Sequence, residues 1–158
     1  MITTYPALDT IGLDELVERG SLLTRVDRKY ALTAADAGMA VELVDPATTR
    51  VLAIDGVPNL GYSSVYLDTP GLDTFLLAAR QRRRRFKVRT RTYESNGASF
   101  LEVKTRQHRH TVKDRLPGTH LVDGRLSDEG AAFVRAALRR AGVRSAPVED
   151  LSASLRVD

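Results

Sequence analysis

Seven basic side chains between Lys87 and Arg115 fall on alternate positions of three successive runs. The first run carries Lys87, Arg89 and Arg91. The second carries Lys104 and Arg106, and the third carries Lys113 and Arg115 behind Thr111. Side chains on a strand alternate between faces, so each set points one way. Lysine offers point charges and arginine a planar fork, and together they suit an anion such as a phosphate chain. One acid, Glu102, shares their parity. The opposite parity holds Phe86, Val88, Thr90 and Thr92 on the first run and Leu101, Val103 and Thr105 on the second, which makes an apolar back.

A hairpin must position these groups. Asn96-Gly97 lies between two alternating runs and predicts a two-residue loop. The resulting register sets Tyr93 opposite Phe100, Arg91 opposite Glu102, Arg89 opposite Lys104 and Lys87 opposite Arg106. Like charges facing each other on a ladder repel. Two readings follow: a solvated cationic face, or a face whose repulsion an anion relieves. In this register, removing Arg89 is expected to leave the ligand-free protein as stable as before, or slightly more so.

The charge is local. From Arg80 to Arg115, 13 basic residues face three acidic ones, a net of +10, whereas the remainder carries a net of −6. That asymmetry marks a site more than general adhesiveness. The run Arg82-Arg83-Arg84-Arg85, with Phe86, Tyr93 and Phe100, admits a nucleic-acid surface, but the run joins two elements and is no tail. The 158 residues suffice for one domain, residues 1–158, with its own core. No apolar run approaches the ~20 residues of a membrane span. No secretory signal opens the chain, and cysteine is absent, which fits a cytoplasmic protein. It has no Gly-Lys pair for a phosphate-binding P-loop and no spaced Ser/His/acid set. His108 and His110, beside Arg109, read as solvated side chains more readily than as a metal pair.

Around the central hairpin, Leu13–Arg19 reads as a short helix closed by Gly20. Residues 23–32 read as an alternating strand. Thr33 and Asp36 cap a helix from Ala34 to Val44. Strands are expected over 50–55 and 62–68, then a helix with Pro70 at its first position. Ser127 caps a helix running to Ala141, ended by Gly142. A strand is expected to begin near Leu151.

Five segments, in their order and spacing, resemble the VTC domain. They are Asp27-Arg28-Lys29-Tyr30, Tyr66-Leu67-Asp68-Thr69-Pro70, the run Lys87 to Tyr93, Phe100 to Lys104, and Val112 to Arg115. That family is the polyphosphate polymerase domain of the vacuolar transporter chaperone proteins. It lies within the triphosphate tunnel metalloenzyme superfamily, beside the CYTH-type phosphatases. The resemblance implies an α+β fold: an antiparallel β-sheet forming part of a tunnel-type barrel, with helices packed outside. It assigns Lys29, Arg89, Arg91 and Lys104 to phosphate binding and catalysis, with Lys87, Lys113 and Arg115 as further phosphate-binding groups. It implies a divalent metal (Mn or Mg), for which Asp27 and Glu102 are the acids at hand. Arg25-Val-Asp27-Arg-Lys29 stands where the superfamily has Glu-x-Glu-x-Lys, so one acid of that pair is replaced.

The implied function is binding of polyphosphate or triphosphate and, in the complete family protein, polymerisation from ATP. The alternatives are a non-catalytic polyanion-binding module, a CYTH-type triphosphate hydrolase and, last, a nucleic-acid-binding protein. The family domain is longer, so this chain is expected to match its N-terminal portion and to pair with a second copy through open strand edges.

Overall fold

The computed structural model describes residues 8–20, 30–58, 61–107, 110–143 and 146–158. The chain divides into two compact units, residues 1–60 and 61–158.

In the first unit, β1 (Thr10–Ile11) leads into α1 (Leu13–Gly20). Then come α2 (Ala34–Glu42) and β2 (Val51–Leu52), which pairs parallel to β1. Thr33 caps α2: its Oγ1 accepts from the Asp36 N–H and donates to the Asp36 carboxylate. The strand expected over 50–55 is shorter because Asp55 and Gly56 turn in the left-handed region, bridging Ile54 to Val57. Most of the strand expected over 23–32, including Asp27 and Lys29, lies outside the described residues.

The second unit holds β3 (Tyr62–Asp68), α3 (Asp73–Ala79), β4 (Phe86–Tyr93), β5 (Ser99–Gln107) and β6 (His110–Pro117). After these come β7 (Leu121–Val122), β8 (Arg125–Leu126), α4 (Asp128–Arg140) and β9 (Ser152–Val157). The seven strands β3 to β9 form a curled half-barrel sheet in the order β6-β5-β4-β3-β9-β8-β7, with every pair antiparallel. This is the expected α+β architecture. One face of the sheet packs Leu67, Phe86, Val88, Leu101 and Val103 against Val134, Ala137 and Leu138 of α4, with Val148 and Leu151 completing the core. Each Val, Leu or Phe side chain among them contributes about 1.5–3 kcal/mol by leaving water. Ser127 accepts from the Gly130 N–H at the start of α4, and Gly142 at φ +72° ends it, as its spacing predicts. Among the described residues no helix is long and apolar enough to cross a membrane.

Two further expectations are corrected. The Asn96-Gly97 loop is longer than two residues: Tyr93 and Ala98 close it, with Glu94 to Gly97 between them. Only Gly97 enters the left-handed region, at φ +68°, while the Asn96 carboxamide oxygen accepts from the Ala98 N–H. A two-residue type I′ turn needs both central residues there, and Asn96 instead spends its side chain on the turn. The register therefore slips by two: Lys87 pairs with Lys104, Arg89 with Glu102, and Arg91 with Phe100. A slip of two keeps every side chain on its expected face, but it replaces the Arg89–Lys104 opposition with an Arg89–Glu102 pair.

Pro70 does not open α3. Thr69 to Leu72 make a turn closed by the Leu72 N–H on the Thr69 carbonyl, and Leu72 sits at φ +56°. The buried Asp68 carboxylate starts the helix instead, accepting from the N–H groups of Thr69, Thr74 and Phe75. Residues 121–126 form the β7–β8 hairpin. Asp123 and Gly124 both adopt positive φ, the two-residue turn that Asp-Gly favours.

Replacing Asp68 by Ala is expected to destabilise the protein by about 2 kcal/mol, since three charge-assisted hydrogen bonds, two of them to the first turn of α3, disappear together. Denaturant unfolding followed by circular dichroism reads that loss.

Candidate phosphate-binding face

Three rows cross β4, β5 and β6 on the face opposite the core. They are Arg91–Phe100–Pro117, Arg89–Glu102–Arg115 and Lys87–Lys104–Lys113. Arg106 and Thr111 form a further pair, joined by a 3.4 Å hydrogen bond. Neighbouring strands lie about 4.8 Å apart, so members of a row are direct neighbours. The structure thus gathers Lys87, Arg89, Arg91, Glu102, Lys104, Lys113 and Arg115 on one surface. Asp27 and Lys29 lie outside the described residues, as do His108 and the His110 side chain.

The central row is internally compensated. Glu102 is 1% exposed. Its Oε2 accepts from Arg89 Nε at 2.8 Å and Arg89 Nη2 at 2.7 Å. Its Oε1 accepts from Arg115 Nη2 at 2.9 Å, with Lys113 Nζ 3.8 Å away. Burial alone would raise the Glu102 carboxyl. Hydrogen bonds from Arg89 and Arg115 and the charges of Arg89 and Lys113 outweigh that, holding it below the ordinary carboxylate value. For Arg89 the order is the same in reverse: burial would lower it, but Glu102 and Tyr66 win and raise it.

The partners on β3 were not legible as site residues, although Tyr62, Ser64 and Tyr66 alternate there. Tyr66 Oη accepts from Arg89 Nη1 at 3.1 Å, and Ser64 Oγ from Arg91 Nε at 3.1 Å. Arg91 stacks 3.7 Å over the Tyr62 ring, and Arg115 lies 4.5 Å from the Phe100 ring centroid. Tyr62, Tyr93 and Phe100 meet edge to face. These contacts hold the arginines in place through packing as well as charge.

The lysine row is different. Lys113 has its distant contact with Glu102; no carboxylate lies within ion-pair range of Lys87 or Lys104 among the described residues. Partial burial lowers the Lys104 ammonium. The Arg89 charge adds to this, Glu102 opposes it, and Lys113 and Arg91 add further. Three lysines in line, with so little compensation, leave a surface that gains by accepting an anion.

A divalent metal fits this face poorly. Both Glu102 oxygens are engaged by guanidinium groups, and the described residues contain no cluster of three or more His, Asp or Glu able to hold an ion.

Replacing Glu102 by Ala is expected to cost about 3–5 kcal/mol, because Arg89 would remain buried without its partner. Replacing Arg89 by Ala also destabilises, contrary to what the Arg89–Lys104 register implied. Because the folded Glu102 titrates below its ordinary value of 4.5, its contribution is complete above that pH and is lost as the pH falls through the folded value. Thermal melts of wild type and Glu102→Gln across acidic pH should converge as the pH drops.

No curated protein matches the chain. A model of the VTC domain matches residues 25–136, a span that includes β3 to β8 and most of α4. The ordered basic rows on an antiparallel half-barrel agree with that match, and the chain belongs to the VTC domain family.

Proposed function

We propose that this face binds the phosphate chain of polyphosphate or of a nucleoside triphosphate, and that ATP is the phosphoryl donor in the complete family reaction. The lysine row carries the proposal, since it sets three cations side by side with one distant carboxylate between them. In this role Lys87, Lys104 and Lys113 contact phosphate oxygens directly. Lysine ammonium groups are compact and rotatable, so they can exchange one oxygen for another as a chain moves. Arg89 and Arg115, tied to Glu102, hold the sheet surface rigid beneath that row. Arg91 offers its fork at the aromatic end.

In the transfer step, an oxygen of the chain terminus attacks the γ-phosphorus of ATP. The bond to the bridging β–γ oxygen breaks, and ADP leaves. Cations fixed along the chain stabilise the charge on the transferring group, which needs positioning more than covalent help from the protein.

Calorimetric titration with inorganic triphosphate tests the binding. Replacing Lys104 by Ala should weaken it by about 1.5–3 kcal/mol, the scale of a hydrogen bond to a charged group. Affinity should fall as salt rises. A face that ignores triphosphate and binds oligonucleotides instead overturns the proposal.

Proton linkage offers a second check. The Lys104 ammonium is disfavoured in the free protein, so its stabilising share is complete above the ordinary 10.5 and declines as pH falls through the lowered folded value. A bound anion reverses that preference. Triphosphate binding at alkaline pH should therefore take up protons, read as a dependence of the heat on buffer ionisation enthalpy, and Lys104→Ala should abolish the uptake.

A further inference from the structure

Lysine is scarce in this chain. Of 24 basic residues only Lys29, Lys87, Lys104 and Lys113 are lysines, and the rest are arginines. Three of those four fall in one row across β4, β5 and β6. Elsewhere among the described residues every surface cation is an arginine, as in the pairs Arg135–Glu149 and Arg140–Asp114. Charge alone does not require this choice, because arginine supplies the same charge. What lysine adds is a primary amine, which can lose its proton and form an amide.

Position separates the three amines. Lys87 is exposed on β4 and Lys113 lies 3.8 Å from the Glu102 carboxylate. Lys104 is half-buried between them, with a lysine directly across each neighbouring strand and Arg89 one row away. It alone has cations on both sides. A phosphate group drawn to those cations would rest beside the Lys104 amine. Burial and the Arg89 charge also disfavour its ammonium form.

We propose that Lys104 is an acylation site for acyl phosphates, with Lys87 and Lys113 seating the phosphate half while the Lys104 amine receives the acyl group. This rests on the reading that the face seats phosphate anions. In the step, Nζ attacks the acyl carbonyl carbon and a C–N bond forms. The bond from that carbon to the phosphate oxygen breaks, inorganic phosphate leaves, and the amine proton passes to phosphate or water. No redox change occurs and no other reactant is needed. Holding the donor next to the amine converts a bimolecular encounter into a local one. The product is a neutral amide in the middle of the row, so acylation removes the central charge of the phosphate seat. A cell rich in acyl phosphates would thereby weaken its own phosphate-chain binding at this face.

The test treats the whole chain with acetyl phosphate and follows each lysine by peptide mass spectrometry. Acetylation of Lys104 should run several-fold faster than that of Lys87 or Lys113, and inorganic triphosphate in excess should suppress it. The uncharged acyl donor N-acetoxysuccinimide serves as the control and should show no such preference guided by phosphate. The acetylated protein, and Lys104→Gln, should bind triphosphate at least about tenfold more weakly, the scale of one charge-assisted contact. Equal rates at all three row lysines overturn the proposal, as does a Lys104 preference that triphosphate leaves unchanged. Calorimetry on the untreated chain separates the two readings. Tight triphosphate binding with no Lys104 preference overturns the acylation site alone, whereas absent triphosphate binding overturns the phosphate seat and this site with it.

Discussion

One buried carboxylate makes the cationic face tenable. Glu102 stands between Arg89 and Arg115 on adjacent strands and answers both, at 2.7 Å and 2.9 Å. Without it, guanidinium groups would sit as near neighbours on a surface already crowded with lysines. The pair costs desolvation, and such an arrangement is maintained only where hydrogen bonds satisfy the charged atoms. Here that condition is met: Arg89 uses three of its donors on Glu102 and Tyr66, and no buried side-chain nitrogen or oxygen among the described residues lacks a partner.

That satisfaction divides labour between two adjacent rows. The arginine–glutamate–arginine row spends its hydrogen bonds on itself and on the tyrosines of β3, so it is rigid and nearly self-contained. The lysine row beside it has one distant carboxylate contact among the described residues, which leaves it open to an arriving anion. Rigidity comes from the forked, stacking side chain and exchangeability from the compact ammonium, which is the physical difference between the two basic residues. The reverse face supports both rows, because Val88, Leu101 and Val103 lock the same strands against α4. A strand that is anchored on one side can present charges on the other without peeling away.

Local chemistry was legible wherever one side chain decided the outcome. Thr33 and Ser127 announce helix starts because a hydroxyl can satisfy an orphan N–H within its own turn. Asp68 was harder to see. Its carboxylate caps α3 across an intervening turn, so Pro70 offered a nearer and mistaken start. Tyr66 and Ser64 were hidden for a related reason. Their part in the site depends on β3 lying beside β4, a contact between residues 23 and 27 positions apart.

The sequence by itself determined which residues share a face. A period of two assigns Lys87, Arg89, Arg91, Glu102 and Lys104 to one side and Val88, Leu101 and Val103 to the other, whatever the loop does in steps of two. It also determined the family, through ordered basic segments that span most of the chain. Only the tertiary structure decided who faces whom. Asn96 turned its side chain to the Ala98 N–H, Gly97 alone took positive φ, and the loop grew to four residues. Periodicity is blind to that slip, because a shift of two residues preserves every face while changing every partner. Arg89 thereby met Glu102 in place of Lys104, and a surface of mutual repulsion became one compensated row beside one row left open to anions.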